Sequence, residues 1–159
     1  MIILGLDPGT TRVGFAIIKA SKNNVKPVDY GCWEIKENSK GKKLVALAKL
    51  LNQTIKKYQP KIVAYEKVFF FKNAKTAMSI SEAIGVISYI IFKNHLEAIE
   101  LTPLEIKQNL IGYGRADKKD IQKIIQFYFS FKELPTPDDT ADALAVALAG
   151  LNKIQCLKK

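Results

Sequence analysis

Four acidic side chains stand at the ends of apolar segments, where folded chains often place groups that do chemistry. Asp7 follows one short apolar run and Glu66 follows another, so each is expected at the end of a buried strand. Asp139 and Asp142 begin an alanine- and leucine-rich segment, and residues three apart share one face of a helix. The four carboxylates are candidates for one site if the fold brings these segments together.

Each acid also has an ordinary structural explanation. Asp7 precedes Pro-Gly, and aspartate is frequent at such turns. Glu66 could simply reach solvent. The helix dipole favours acids in a first turn, but Asp138, Asp139 and Asp142 are more than one cap requires. The functional interpretation therefore depends on convergence of the acids.

Convergence would dictate the chemistry. Four carboxylates within a few ångströms repel one another, so at least one is protonated unless a cation lies between them. Oxygen-only sites suit Mg²⁺ or Mn²⁺, and the sequence has no cysteine or histidine cluster of the kind that binds zinc. Hard cations bridged by carboxylates can activate water to hydrolyse a phosphodiester. The acids thus predict a metal-dependent nuclease.

Hydrophobic periodicity predicts the elements that must position these acids. The predicted strands are 2–6, 13–18, 25–35, 61–65 and 98–101, and the predicted helices are 39–58, 73–93, 104–110, 117–129 and 138–153. Ser39 and Asp117 are expected N-caps, and a kink is expected near Pro27. This order predicts an α/β fold with a mixed five-stranded sheet, three antiparallel strands and then two parallel ones, flanked by helices.

The predicted topology puts the first and fourth strands side by side and parallel, so Asp7 and Glu66 are expected to emerge together. Ligands bind at such strand ends in open α/β sheets. Small alanines would let the last helix pack closely on the sheet and carry Asp139 and Asp142 to the same place. The chain of 159 residues, without repeat or linker, is expected to form a single domain.

Three phenylalanines follow the fourth strand, which is unusual for a plain core segment. Phe69, Phe70 and Phe71 cannot all face one core in an extended segment, because side chains alternate. An exposed aromatic can stack on or wedge between unpaired bases. A dimer contact or a capped core edge is the alternative. Lys72 and Lys75 come next and would contact an anionic ligand there.

A second basic group lies further along the chain: Lys107, Arg115, Lys118, Lys119 and Lys123. Lysines 118 and 119 begin a helix, where the dipole disfavours cations, so a phosphate ligand would explain them. A solvated lysine surface is the competing interpretation.

The overall charge favours a polyanionic partner. The formal net charge is +10 and the pI is about 9.5. Nucleic acid and an anionic membrane surface both fit this charge, and so does a soluble protein coated with lysine. No apolar run approaches the roughly 20 residues that span a bilayer, and the N-terminus lacks the features of a signal peptide. Two distant cysteines favour a reducing compartment, so we expect a cytoplasmic protein with no membrane partner.

Seven short motifs occur in order along nearly the whole chain. They are Leu6-Asp7-Pro8-Gly9-Thr10, Glu66-Lys67-Val68-Phe69, Asn73-Ala74, Ile106-Lys107-Gln108, Gly112-Tyr113-Gly114, Ala116-Asp117-Lys118 and Asp139-Thr140-Ala141-Asp142-Ala143-Leu144-Ala145. Together they resemble the RuvC family, the crossover junction endodeoxyribonucleases that resolve Holliday junctions. The resemblance implies an RNase H-like fold and a homodimer on a four-way DNA junction, acting in homologous recombination and DNA repair. Each subunit would nick one of two opposed strands and leave 5′-phosphate and 3′-hydroxyl ends.

The resemblance also implies roles for individual residues. One or two Mg²⁺ ions per subunit, with Mn²⁺ as a substitute, would be bound by the four carboxylates. Phe69 matches the family's junction-probing aromatic, and Lys107 and Lys118 match its functional lysines. A branch-migration helicase complex of the RuvA and RuvB type is an implied partner. The chain departs from the family at Ile84, since an arginine often precedes the glycine at this point.

The main alternative is another RNase H-like nuclease that acts on structured RNA, similar to the YqgF group of pre-rRNA processing. The aromatic segment after Glu66 and the pair Asp139 and Asp142 favour a junction enzyme. An ATP-binding protein of the actin and sugar-kinase type would need two lobes, for which 159 residues are too few. A DNA-binding module that keeps the acids for structure is the non-enzymatic alternative.

Overall fold

The computed structural model describes residues 1–22, 24–67, 74–112, 114 and 116–157, with the backbone alone at 74–76. Within them, the strands are β1 (Ile2–Asp7), β2 (Arg12–Ala20), β3 (Val25–Glu34), β4 (Ile62–Glu66) and β5 (Glu97–Leu101). The helices are α1 (Lys40–Tyr58), α2 (Ala74–Lys93), α3 (Pro103–Ile111), α4 (Lys118–Phe129) and α5 (Asp138–Leu157). Over these residues, none of the helices has the length and apolar character needed to cross a membrane.

The strands form one mixed sheet in the order β3-β2-β1-β4-β5. β2 pairs antiparallel with both β1 and β3, while β4 pairs parallel with both β1 and β5. Short turns can join antiparallel neighbours, whereas the parallel pairs need the crossover helices α1 and α2. The predicted sheet is confirmed, with three antiparallel strands followed by two parallel ones.

Most predicted boundaries lie within a few residues of the observed ones. Ser39 caps α1 as expected, and the expected kink lies where Pro27 pairs with Ile18 at a shift in register. α5 is the exception, because it continues past the predicted end near residue 153 to Leu157. Ile154 is buried in the core, so the apolar face of this helix extends by a further turn.

The sheet separates two hydrophobic clusters. Leu4 and Leu6 of β1 face the side of α1 and α2, whereas Ile3 and Gly5 face α5, as alternation along a strand requires. α3 and α4 pack on the same side of the sheet as α5. α5 is central to that cluster, since its side chains from residue 140 to residue 151 are all buried except Asp142.

α5 touches the sheet through backbone and small side chains. A Cβ added at Gly5 would lie 2.6 Å from the Cβ of Ala147, and one added at Gly14 would overlap the carbonyl oxygen of Asp139. Glycine is therefore required at both strand positions for the helix to lie this close. The predicted close packing of α5 is confirmed, but part of the space comes from glycines in the strands rather than from the helix alanines.

Capping boxes fix the starts of α3 and α4, the two helices that carry the lysines of the second basic group. The Thr102 side chain accepts from the Glu105 amide, and the Glu105 carboxylate accepts from the Thr102 amide. That carboxylate also accepts from Lys153 Nζ on α5 at 2.8 Å, which lowers the pKa of Glu105 to about 2 and ties α3 to α5. Asp117 and Asp120 form the equivalent box on α4.

Gly5→Ala is expected to destabilise the protein, because the new methyl group would lie between β1 and α5. Overpacking of this kind costs roughly 1–3 kcal/mol of unfolding free energy. Urea unfolding measures this loss, with Gly41→Ala as the matched control, since a Cβ at Gly41 in α1 meets nothing within 4 Å. The control should be as stable as the parent or slightly more so. An unchanged free energy for Gly5→Ala would contradict the close contact of β1 with α5.

Candidate active site

Asp7 and Glu66 end two neighbouring parallel strands. β1 and β4 pair in register up to the residues just before them, so both acids leave the sheet at the same edge. Burial, followed by the negative charges of Glu66, Asp142 and Asp139, raises the pKa of Asp7 to about 7. Acids from three separate segments of the chain therefore lie close enough to act on one another.

The first turns of α5 bring two further acids to this edge. The helix crosses the glycines of β1 and β2, which places the backbone of Asp139 against β2. Burial raises the pKa of Glu66 and of Asp142, and the charge of Asp142 raises that of Glu66 further. Such shifts arise where carboxylates share a poorly solvated site. We call these four residues the acidic cluster: Asp7, Glu66, Asp139 and Asp142.

Among the described residues, two basic side chains contact the acidic cluster. Lys118 Nζ donates to Asp138 Oδ2 at 3.0 Å and to Asp142 Oδ2 at 3.2 Å. Arg12 Nη2 lies 3.4 Å from Asp139 Oδ2, an ion pair without hydrogen-bond geometry. Asp139 Oδ2 is buried, and no donor among the described residues forms a hydrogen bond with it. The two cations thus neutralise only part of the charge and leave one buried oxygen unsatisfied.

The donor set fits a hard divalent cation. The cluster offers only carboxylate oxygens, which Mg²⁺ and Mn²⁺ prefer, and a bound cation would relieve the repulsion among them. In the described part of the chain, however, no group of three or more acidic, histidine or cysteine side chains is arranged so that it could hold a metal ion. Lys118 and Arg12 offer a physical reason, because each holds one carboxylate in an ion pair. Binding of a cation therefore competes with these two pairs.

A cleft of about 210 Å³ lies beside the cluster, and its polar lining consists of Glu66, Asp142, Lys107 and Lys118. Its apolar lining comes from α3, α4 and α5: Pro103, Ile106, Ile121, Ala145 and Val146. Lysines next to carboxylates let an anionic ligand approach an otherwise negative site. This arrangement suits the hydrolysis of a phosphate ester.

The structure brings together most of the described residues that the sequence singled out: Asp7, Glu66, Lys107, Lys118, Asp139 and Asp142. Lys119 and Lys123 are exposed on α4 and do not line the cleft. The other predicted residues lie outside the described part of the chain: Phe69, Phe70, Phe71, Lys72, Asn73 and Arg115. The side chain of Lys75 also lies outside it, because only the backbone of Lys75 is described.

Arg12 is a residue of the site that the sequence did not single out. It begins β2, directly after the turn that follows Asp7, and the antiparallel pairing of β1 and β2 returns it to this strand end. A signal was available, because Arg12 is one of only two arginines in a lysine-rich chain. For Lys118, the structure adds carboxylate partners that a phosphate-binding role alone did not predict.

Comparison with known proteins finds relatives over nearly the whole chain. The family model described as crossover junction endodeoxyribonuclease RuvC matches residues 3–150. A protein of that name from Desulfitobacterium hafniense is 40% identical over 160 residues, which cover 100% of this chain and 97% of the relative. Another from Caldicellulosiruptor saccharolyticus is 45% identical over 150 residues, which cover 93% of this chain and 90% of the relative.

A solved structure, Thermus thermophilus RuvC in complex with a Holliday junction substrate, shares the fold. It matches with a TM-score of 0.91 at 23% identity, covering 98% of this chain and 96% of that chain. The mixed sheet with its flanking helices is therefore an RNase H-like fold.

Proposed function

The chain belongs to the RuvC family of crossover junction endodeoxyribonucleases, and from this membership we propose that it resolves four-way DNA junctions. The observation that carries the proposal is the acidic cluster beside the two lysines of the cleft. A nuclease needs acids to organise phosphodiester hydrolysis and cations to hold the DNA backbone. The whole chain would act as one nuclease domain, in the cytoplasm, during homologous recombination and DNA repair.

The acidic cluster would hold Mg²⁺, with Mn²⁺ as a substitute, at one or two ions per subunit. When bound, the cation supplies Lewis-acid stabilisation of the charge that develops during hydrolysis. Asp7 and Glu66 present their oxygens from strand ends, while α5 sets the positions of Asp139 and Asp142. Because burial and the neighbouring acids raise the pKa of Asp7 to about 7, this carboxyl holds a proton for much of the time at neutral pH when no cation is bound.

Lys107 and Lys118 would bind phosphates of the cleaved strand from the lining of the cleft. Lys118 would then exchange a carboxylate partner for a phosphate as DNA enters. Attack of water on phosphorus, with departure of the 3′ oxygen, leaves 5′-phosphate and 3′-hydroxyl ends. The other DNA contacts that we propose are those of the sequence prediction: Phe69, Lys72, Lys75, Arg115 and Lys119.

Two copies of the chain are needed to cut two opposed strands of a symmetric junction. We assign their contact to α2, on which Met78, Tyr89 and Phe92 are 69%, 64% and 66% exposed. With Gly85, where an added Cβ would meet nothing within 4 Å, they form one helical stripe. An exposed apolar stripe of this kind suits a helix–helix contact with a second copy. A branch-migration helicase of the RuvA and RuvB type would act on the same junction.

Asp142→Asn and Glu66→Gln are expected to lower cleavage of a four-way junction by more than about a hundredfold. Even residues that only hydrogen-bond to the ligands of a metal contribute roughly 10–100-fold to activity. Junction binding should persist, because the phosphate contacts remain. Cleavage of a labelled junction with and without Mg²⁺ measures the first property, and fluorescence anisotropy without the metal measures the second.

Asp138→Asn is the matched control, because Asp138 is the neighbouring acid in the first turn of α5 and its side chain is 73% exposed. It should retain most of the parent cleavage. Normal cleavage by either cluster variant would contradict the site. Preferential cleavage of structured RNA or plain duplex DNA by the parent would contradict the substrate.

Lys107→Ala and Lys118→Ala should each weaken junction binding. Loss of one phosphate contact should also make the affinity less dependent on salt, lowering the slope of log K against log salt by about 1. Anisotropy titrations at several salt concentrations measure this slope. Lys19→Ala, an exposed lysine at the opposite end of β2, should keep the parent slope. If Lys107→Ala and Lys118→Ala keep the parent slope as well, the two replaced lysines do not contact phosphate.

Tyr89→Glu should raise the dissociation constant of the dimer at least about tenfold, which is about 1.4 kcal/mol, because the new carboxylate must be desolvated at the contact. Sedimentation velocity at a series of concentrations measures the constant. Phe127→Glu is the control, because Phe127 is 82% exposed but belongs to α4. Dissociation caused by the control and not by Tyr89→Glu would show that the contact lies elsewhere.

A further inference from the structure

A second pocket lies on the other face of the sheet from the cleft, next to the turn that follows Asp7. It has a volume of about 430 Å³ and is enclosed by the β1–β2 turn, α1 and α2. Gly9 and Thr10 of the turn form one of its walls. The volume is within the range of small-molecule sites in proteins and is large enough for one nucleobase.

The pocket has an apolar floor and a polar rim. The floor consists of apolar side chains, most of them buried in the core: Ile35, Leu44, Leu47 and Ala83. The rim carries Asn38 and Ser79 together with two lysines and a glutamate. A bare phosphate would use only the rim, whereas a flat heterocycle would also cover the floor. The lining therefore favours a base over a simple anion.

Glu82 on α2 presents a carboxylate to this pocket. Its Oε1 accepts from Lys40 Nζ at 2.7 Å, a pair that joins α2 to α1. Its Oε2 is buried and has no hydrogen-bond donor within the part of the chain that the structure describes. A buried acceptor without a donor is unfavourable and calls for an explanation. Every DNA base carries N–H groups, so a bound base would supply the missing donor.

Positive charge lies along the α1 side of the pocket. Lys40 and Lys43 line it, and both belong to the first turn of α1, which has no acidic residue. The helix dipole favours anions at this position and disfavours lysines unless an anion joins them. Phosphates on either side of a bound base would meet these two ammonium groups.

The pocket is also close to the acidic cluster along the chain. Thr10 follows Asp7 by three residues, so their Cα atoms are at most about 11 Å apart. Successive nucleotides of a stacked strand are about 3.4 Å apart. A base in the pocket would therefore belong to a nucleotide within about three positions of the scissile phosphate.

We propose that this pocket is a base-binding subsite, which takes one unstacked base of the cleaved strand near the scissile phosphate. Glu82 Oε2 accepts an N–H of the base, the apolar floor covers its ring, and Lys40 and Lys43 neutralise the adjoining phosphates. The subsite rests on the proposed function and adds to it the residues that hold this base.

Cleavage of abasic junctions by Glu82→Met tests the subsite. One base at a time is removed from the three positions on each side of the cut, and rates are measured at saturating enzyme. Removal at one position should slow the parent at least about tenfold, and Glu82→Met should slow cleavage of the intact junction as much. On the junction lacking that base, parent and variant should cleave equally.

Glu97→Met, at an exposed glutamate on β5, should match the parent throughout. Equal slowing by Glu82→Met on every junction, or no slowing at all, would overturn the subsite.

A binding measurement without Mg²⁺ separates this subsite from a loss of folding or of cleavage. 2-Aminopurine placed at the same positions brightens when it leaves the stack, so the parent should brighten one position on binding. Ser79→Phe, which fills the pocket, should bind the junction without that signal. A parent that binds and cleaves junctions but brightens no position would overturn the subsite alone. A parent that neither binds nor cleaves a four-way junction would overturn the proposed function, and the subsite with it.

Discussion

The contact of α5 with the two central strands determines where every other part of the site can lie. Gly5 and Gly14 have no side chains, so the helix backbone rests directly on β1 and β2. Its first turns then reach the edge at which β1 and β4 end. A larger side chain at either glycine would lift the helix, and two of the four acids would move with it. Packing in the core and chemistry at the edge are thus consequences of one close contact.

The acidic cluster is unfavourable for the folded chain on its own. Burial and like charge raise the pKa of Asp7 to about 7, which means that its ionised form is strongly disfavoured. Lys118 and Arg12 offset part of this repulsion through their ion pairs. A group of acids held together against such repulsion is typical of a functional site rather than of a stabilising one. Core packing on both faces of the sheet must supply the stability that the cluster removes.

The sequence was sufficient to predict the sheet, the order of the helices and the convergence of the four acids. Periodicity assigns the strands. Given the links between the strands, nearly all allowed topologies place Asp7 and Glu66 side by side. Interactions between side chains that are distant in sequence were not predictable in this way. The pairing of Arg12 with Asp139 depends on where β2 returns after its turn.

The unpredicted features share a physical cause, which is that they depend on how closely packed elements approach one another. The role of Gly5 becomes visible only when a helix is seen to lie against it. Nothing in the helical pattern of α2 distinguishes Glu82. Its setting is visible only in the folded chain, where Lys40 of α1 donates to one carboxylate oxygen and the other oxygen is buried. Local sequence determines the elements, whereas distances between the elements determine the functional groups.

Direct observation of a bound cation tests whether the acidic cluster is a metal site. Crystals of the chain alone, soaked in Mn²⁺ and measured at the manganese absorption edge, would locate the ion by its anomalous scattering. We expect Mn²⁺ coordinated by Asp7 and by carboxylates of α5, with Lys118 moved away from Asp142. An anomalous map without manganese at the acidic cluster, and with the contact between Lys118 and Asp142 intact, would contradict this expectation.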